Sequence, residues 1–492
     1  MLTRPGQFLR DPVGGPAMHR LTHVLALGLI LPLTGTALAQ ESPHKLWNVV
    51  VILVDDLGAT DLGCTGSRFY ETPHIDRLAS LGMRFTQGYA ACTVCSPTRA
   101  ALLTGKYPAR LHLTDWIPGH VRPRAKLRVP DWTMYLPLEE LTLAERLHQA
   151  GYATAHVGKW HLGNAPYYPQ HQGFDLNIGG TQWGSPGSYF WPYGKDNRRV
   201  PLEGGHEGEY LTDRLTDEAI KFISANKEKP FFLYFAHYAV HTPLQAKEQL
   251  VHYYEKKLAE ANARGDDLDG QQCPVYAAMI HSLDESVGRI LDTLDSLQLT
   301  ERTIVIFTSD NGGLVLPACQ KRPVTHNIGL RAGKGSAYEG GVRVPWIIRW
   351  PGVTAPGSVS HEPIITIDLY PTVLDMLGLA NDPSHHADGI SVARVLRGQG
   401  SLPDRPLFWH YPHYHPGGAT PYSAVRHGDW KYIHFFEDNH GELYNLKEDP
   451  EESQDLAGRF PEKVAELRAT LEKWLKEVNA QFPTPNPNYR PE

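Results

Sequence analysis

The chain has 492 residues, with 47 Lys and Arg against 54 Asp and Glu for a formal net charge of −7, and only 5 Cys. No long run of either sign occurs, which excludes the basic footprint of a nucleic-acid-binding protein, and the cysteines are too few for a disulfide-built scaffold. A chain of this length buries a large core and has room for one big domain with a smaller one beside it.

The N-terminus reads as a leader. Met18-His19-Arg20 suits a basic n-region, Leu21 to Leu33 an apolar h-region broken by Pro32, and Ala37-Leu38-Ala39 a cleavage site before Gln40. The apolar run is short for a membrane span, and no later stretch is long and apolar enough to cross. The expectation is a signal peptide over 1–39 and an exported, periplasmic or secreted chain with no stable membrane insertion. An odd number of cysteines in such a chain leaves one thiol over, and spacing does not say which of them pair.

Leu46 to Val54 reads as a buried central strand ending in Asp55-Asp56-Leu57-Gly58. Adjacent strand residues face opposite ways, so Asp55 and Asp56 converge only if the chain turns, and then they repel unless a cation sits between them. A solvated turn is the alternative. Cys92-Thr93-Val94-Cys95-Ser96-Pro97-Thr98-Arg99 opens a helix-like run to Gly105. Ser96 suits a helix cap and Pro97 the first turn. The helix dipole and Arg99 both favour negative charge beside Cys95, so a nucleophile there meets an anionic substrate; a buried structural thiol is the alternative.

Further along, helices are expected over 141–151, 210–225 and 275–297, and strands over 152–157, 230–236, 303–308 and 344–350. These strands lead into Lys159-Trp160-His161, His237 with His241-Thr242-Pro243, and Asp310-Asn311-Gly312, while Gly333-Lys334 lies on a loop. The alternation predicts an α/β fold, a mostly parallel central sheet sandwiched by helices, with its polar clusters at the carboxyl ends of strands, where such sheets build their sites. Around Gly398–Pro403 the pattern changes to short strands (406–411, 422–426, 430–435, 442–446) and a helix over 461–478. The reading is a catalytic domain over 40–400, a small antiparallel sheet with one helix over 401–482, and a loose Pro-rich tail over 483–492.

Cys95-Ser96-Pro97-Thr98-Arg99 with Leu103-Thr104-Gly105 resembles the signature of the type I, formylglycine-dependent sulfatases, and Thr72-Pro73-His74-Ile75-Asp76 and the strand-end clusters follow in that family's order. The resemblance covers nearly the whole chain after the leader. It implies an alkaline-phosphatase-like fold, conversion of Cys95 to formylglycine by a maturation enzyme, and attack of the hydrated aldehyde on the sulfur of a sulfate ester. It also implies a Ca²⁺ ion, with Mg²⁺ as the alternative, on Asp55, Asp56, Asp310, Asn311 and residue 95; all-oxygen ligands suit such a hard cation. By the same resemblance Arg99, Lys159 and Lys334 supply positive charge, His241 with Lys334 serves the leaving alcohol, and His161 takes the proton that lets sulfate leave residue 95.

For the substrate side, the Trp183–Trp191 loop and the His410, His413, His415 cluster look similar to stretches of bacterial polysaccharide sulfatases and suit a sugar ring, with Arg331 a further substrate contact. Ordinary packing is the alternative for these residues. The expected substrate is a sulfated carbohydrate, exo-cleaved at galactose or N-acetylgalactosamine. The rival readings are a phosphomonoesterase or phosphonate hydrolase of the same superfamily, and a catalytically silent sulfated-glycan binding protein.

Overall fold

Strand β1 (Asn48–Val54) is buried along its whole length, as its run of Val, Ile and Leu requires of a strand covered on both faces. In the computed structural model, which describes residues 47–490 apart from 196–197, 383–384 and 386–387, it lies in the middle of an eight-stranded sheet. The leader reading, 1–39, lies outside the described residues. The other strands are β2 (Met83–Phe85), β3 (Ala153–Gly158), β4 (Leu176–Ile178), β5 (Phe231–Ala236), β6 (Thr303–Ser309), β7 (Trp346–Arg349) and β8 (Ser358–Ser360), in the order β8-β2-β7-β6-β1-β5-β3-β4. β1 runs parallel to β5 and β6, β3 parallel to β5 and β4, and β2 parallel to β8, while β7 is antiparallel to both β6 and β2.

Register decides where the chemistry sits. Val54 pairs with Ser309, and Ala236 pairs with both Leu53 and Gly158. Four parallel strands therefore end at one level, and Asp55, Asp310, His237 and Lys159 are each the next residue. Gly158 takes φ +108, and a Cβ there would overlap the Ala236 carbonyl that accepts from Lys159 N at 2.7 Å. Apolar clusters cover both faces, one holding helix Pro274–Ser296 and the other helix Cys95–Thr104.

Beyond the main sheet, β9 (Leu407–Tyr411), β10 (Tyr422–His427), β11 (Trp430–Phe435) and β12 (His440–Asn445) form a consecutive antiparallel sheet. Helix Pro461–Glu477 covers it through Leu467, Leu471, Trp474 and Leu475, with Trp474 stacked on Phe408. The same apolar cluster takes in Tyr89, Ala101, Tyr107 and Ile365 of the main body, so the two sheets share a core. At their junction Lys431 is fully buried and reaches Glu339 and Glu452 at 2.9 Å each. Glu452 also accepts from Glu339 N at 2.6 Å, and its carbonyl accepts from Arg331. The loop carrying Lys334 is thereby clamped by the small sheet.

Several expectations need correction. Ser96 is not the helix cap: Val94 holds that place without a side-chain bond, and Ser96 Oγ donates to the His161 carbonyl at 2.9 Å. The 141–151 helix is confined to Leu143–Gln149 by a Thr142/Glu145 capping box. The three-residue strands β2, β4 and β8 and helix Glu248–Arg264 escaped the sequence reading. The tail is not loose where it is described: Thr484–Pro485 pairs with Leu127–Arg128. Cys273 and Cys319 form a disulfide, and Cys64, Cys92 and Cys95 are free.

Replacing Lys431 by Met leaves Glu339 and Glu452 buried without their shared cation. We expect urea unfolding to show a loss of about 3–5 kcal/mol, the scale for truncating one partner of a buried ion pair.

Candidate active site

The turn after β1 does what two adjacent carboxylates require. Asp56 takes φ +61, in the left-handed region, and so shares a site with Asp55 instead of pointing to the opposite face. Both are buried, as are Asp310 and Asn311 after β6. Lys159 Nζ lies 2.6 Å from Asp55 Oδ2, Arg99 donates to Asp310 Oδ2 through Nε at 2.9 Å, and Lys334 Nζ lies 2.6 Å from Asp56 Oδ1. Cys95, at the first turn of its helix, sits among them, 3.6 Å from Asp55 Oδ1 and 3.4 Å from Lys334 Nζ.

The electrostatics follow from burial set against neighbours. Burial pushes Asp55 up to about 8 against the pull of Lys159, with Asp310 and Asp56 adding to the rise. Burial pushes Asp56 the same way, but Lys334 and His241 outweigh it and hold that carboxyl below its usual range. Burial alone would lower Lys334; Asp56 and Cys95 reverse this, so its charge is held firmly. Burial raises the Cys95 thiol to about 12, more than Lys159 and Lys334 offset.

Two histidines face the same pocket with defined tautomers. His161, at φ +60, has Nε2 2.5 Å from the Ile117 carbonyl, which can only accept, so the proton is on Nε2 and Nδ1 keeps a lone pair. That buried Nδ1 has no hydrogen-bond partner, and burial together with Lys159 holds the ring well below its usual pKa, hence neutral. His241 donates from Nδ1 to the Thr242 carbonyl at 2.7 Å and turns Nε2 toward Asp56 Oδ2 at 3.7 Å. Burial and Lys334 bring it down to about 3. Tyr189 OH donates to the Tyr238 and His241 carbonyls at 2.6 and 2.9 Å and fixes this turn.

The donor set fits a hard cation. Asp56 Oδ2 and Asn311 Oδ1 are buried and accept no hydrogen bond, although Asn311 Nδ2 is spent on Asp56 Oδ1 and the Gly312 carbonyl. Buried oxygens left this way call for a donor or a cation, and two beside three carboxylates suit a cation. Ligand atoms of Asp55, Asp56, Cys95 and His241 lie within 4.8 Å of one another, and Asp310 adjoins them by accepting from Asp56 N at 3.2 Å.

Above this floor is a cavity of about 430 Å³ lined by Cys95, Asp56, His161, His241, Lys334, Trp183, Gly184, Ser185 and His415. Thr242, Trp116, Ile117, Pro118, Leu314, Leu316, Arg198 and Pro416 complete the wall; of these only Thr242, in its His-Thr-Pro run, stood out in the sequence. Of the histidines expected around a sugar, His415 alone reaches the cavity. His410 is spent on Ser423 Oγ and the Gln481 carbonyl, at 2.6 and 2.8 Å, and His413 on Thr114 Oγ1 at 2.8 Å. Arg331 is also absent from the lining: it stacks over Tyr338 and bonds Tyr444 OH and the Glu452 carbonyl. The substrate contacts expected of His410, His413 and Arg331 are corrected accordingly to packing and bracing.

The sequence pattern of the sulfatase family matches residues 47–379, more than half the chain. The chain belongs to the sulfatase family. It is a sulfuric ester hydrolase with the mostly parallel sheet and small C-terminal sheet of solved sulfatases. A second pattern, the C-terminal region of N-sulphoglucosamine sulphohydrolase, matches 333–481 and so begins at the Lys334 loop. A sulfatase of Formosa agariphila is 31% identical over 94% of this chain and 95% of its own. The N-acetylgalactosamine-6-sulfatase of Mus musculus is 34% identical over 78% of this chain and 72% of its own. The structure of i-CgsB in complex with k-i-k-neocarrahexaose is similar at a TM-score of 0.72 and 29% identity, over 91% of this chain and 95% of that one.

With its thiol raised to about 12, Cys95 carries almost no thiolate near neutrality. Iodoacetamide at mildly alkaline pH should label it at least ~100-fold more slowly in the folded sulfatase than in urea. Mass spectrometry that locates the label on Cys95 measures both rates; equal rates would contradict the burial argument.

Proposed function

We propose that this sulfatase hydrolyses sulfate monoesters on a galactose or N-acetylgalactosamine unit of a polysaccharide, with residue 95 as formylglycine and a Ca²⁺ ion on Asp55, Asp56, Asp310 and Asn311. The observation that carries the reading is the buried cluster in which Cys95 touches Lys334 and Asp55 while Asp56 Oδ2 and Asn311 Oδ1 lack partners. The substrate class draws support from an N-acetylgalactosamine-6-sulfatase among the relatives and from an oligosaccharide complex among the similar structures. Export, and a formylglycine-generating maturation enzyme as partner, belong to the same reading.

A hydrated formylglycine supplies a nucleophilic hydroxyl with a second hydroxyl beside it, and calcium supplies polarisation of a sulfate oxygen. The remaining work falls to side chains of the chain itself. Lys159 and Arg99 offset the carboxylate charge, so that an anionic group is tolerated at this floor. His241, with Lys334 beside it on the same cavity wall, serves the leaving alcohol by protonating or stabilising its oxygen. His161 is the base: its unpartnered Nδ1 takes the proton from the second hydroxyl of residue 95 so that sulfate can leave.

The deciding experiment is sulfate release from a panel of galactose and N-acetylgalactosamine sulfates by matured protein, with a matched phosphate ester beside it. Release from one regioisomer, reduced ~10³-fold or more in Cys95→Ala, is the expected result, on the scale of removing a nucleophile. Phosphate turnover without sulfate turnover would move the protein to the phosphomonoesterase reading. Tight binding of a sulfated sugar without turnover would leave only a glycan-binding role. A calcium chelator is expected to abolish release and lower the Tm, and Ca²⁺ to restore both; Mg²⁺ restoring them equally would correct the metal.

A further inference from the structure

Between Asp115 and Asp131 the chain has no acidic residue, yet it places His120, Arg122, Arg124, Lys126 and Arg128 at every second position, in a protein of net charge −7. Arg122, Arg124, Lys126 and Arg128 are exposed, and among the described residues no carboxylate forms an ion pair with any of them. Four unpaired cations in a row repel one another unless an anion joins them.

The segment is held in place by a scaffold. Leu127–Arg128 pairs with Thr484–Pro485 of the C-terminal stretch. Asn486 Nδ2 donates to the Pro123 and Ala125 carbonyls at 3.0 and 2.7 Å, Asn486 N donates to the Lys126 carbonyl, and Leu127 N donates to Tyr414 OH at 3.0 Å. These bonds frame an open cavity of about 630 Å³ lined by Arg122, Arg124, Lys126, Arg490, Tyr414 and Tyr489, with Glu437 on its wall accepting from Tyr414 OH at 2.7 Å. The cavity is larger than the catalytic one and combines guanidinium groups with aromatic faces, the set that binds a sulfate and stacks on a sugar ring.

Its position gives it a use. Trp116 to Pro118 line the catalytic pocket, and the chain passes directly from there to Val121 and Arg122 on this second cavity. Tyr414 faces the second cavity, while His415 and Pro416, the next two residues, face the catalytic one. The linings of the two cavities are therefore neighbours along the chain at two places.

We propose that the second cavity binds the neighbouring sulfated sugar of a polysulfated glycan, its sulfate held by Arg122, Arg124 and Lys126, while the sugar being desulfated occupies the pocket over residue 95. This rests on the sulfatase reading above and adds to it a preference for substrates with sulfate on successive units. Because the cations are exposed, that preference weakens as salt rises.

The test compares the wild type with the triple variant Arg122→Gln, Arg124→Gln, Lys126→Gln. On a monosulfated monosaccharide the variant is expected to keep kcat/KM within about twofold, which also reports that it folds; on an oligosaccharide sulfated on successive units it is expected to lose ~10-fold or more. An equal effect on both substrates, or none on the oligosaccharide, overturns the proposal. Calorimetric binding of the same oligosaccharide to Cys95→Ala, with and without the three substitutions, separates this inference from the catalytic one. Weakened binding supports the second cavity even if the protein turns over no sulfated sugar, and unchanged binding removes it. Equally tight, equally sensitive binding of polyphosphate would overturn the glycan assignment in favour of a general anion surface.

Discussion

Three carboxylates, Asp55, Asp56 and Asp310, share one buried floor, and everything around them answers that repulsion. Three cations, Lys159, Arg99 and Lys334, come to within hydrogen-bonding distance from three different parts of the chain. Burying so many charges costs more than a single ion pair returns, so the arrangement persists only where the surrounding fold over-determines it. The fold does so through register: parallel strands ending at one level deliver the acids from two strands and a lysine from a third. Two oxygens still lack a partner after this balancing, which is the strongest physical pointer to a cation on the floor.

The small sheet matters to the site although none of its strands reaches the floor. Buried Lys431, Glu339 and Glu452, with half-buried Arg331, form a brace across the junction, and the braced loop is the one that presents Lys334. Mobility in this junction would change the distance from Lys334 to Cys95. The shared apolar cluster, together with the Trp409 bond to the Ala90 carbonyl at 2.8 Å, argues against independent motion of the two parts.

The floor was legible because its residues come in short runs after strongly apolar strands. Asp55-Asp56, Lys159 with His161, and Asp310-Asn311 each announce a strand end, and a long apolar strand is the clearest signal a sequence carries. The walls were legible only in part: Trp183 to Ser185, Thr242 and His415 lie in stretches the sequence singled out, and the rest do not. Ile117 acts through a carbonyl, which any residue would offer, and Leu314, Leu316 and Trp116 are ordinary apolar residues brought in by loops. Of the histidines at 410–415, His410 and His413 misled because composition says nothing about direction: they meet Ser423, Gln481 and Thr114 inside the protein, contacts that span up to 299 residues of chain. The strands β2, β4 and β8 are three residues each, too short to show a period.

The sulfur of Cys95 lies at the bottom of a pocket with 2% of its residue surface open to solvent, locked by a helix on one side and by Lys334 and Asp55 on the other. Another enzyme's active site cannot reach down to it. If residue 95 is converted as proposed, its burial puts that conversion before the chain closes. Under this reading the order of events is fixed in one direction: a molecule that folds before it is edited has sealed away the atom it needed to change, and only unfolding returns it to the queue.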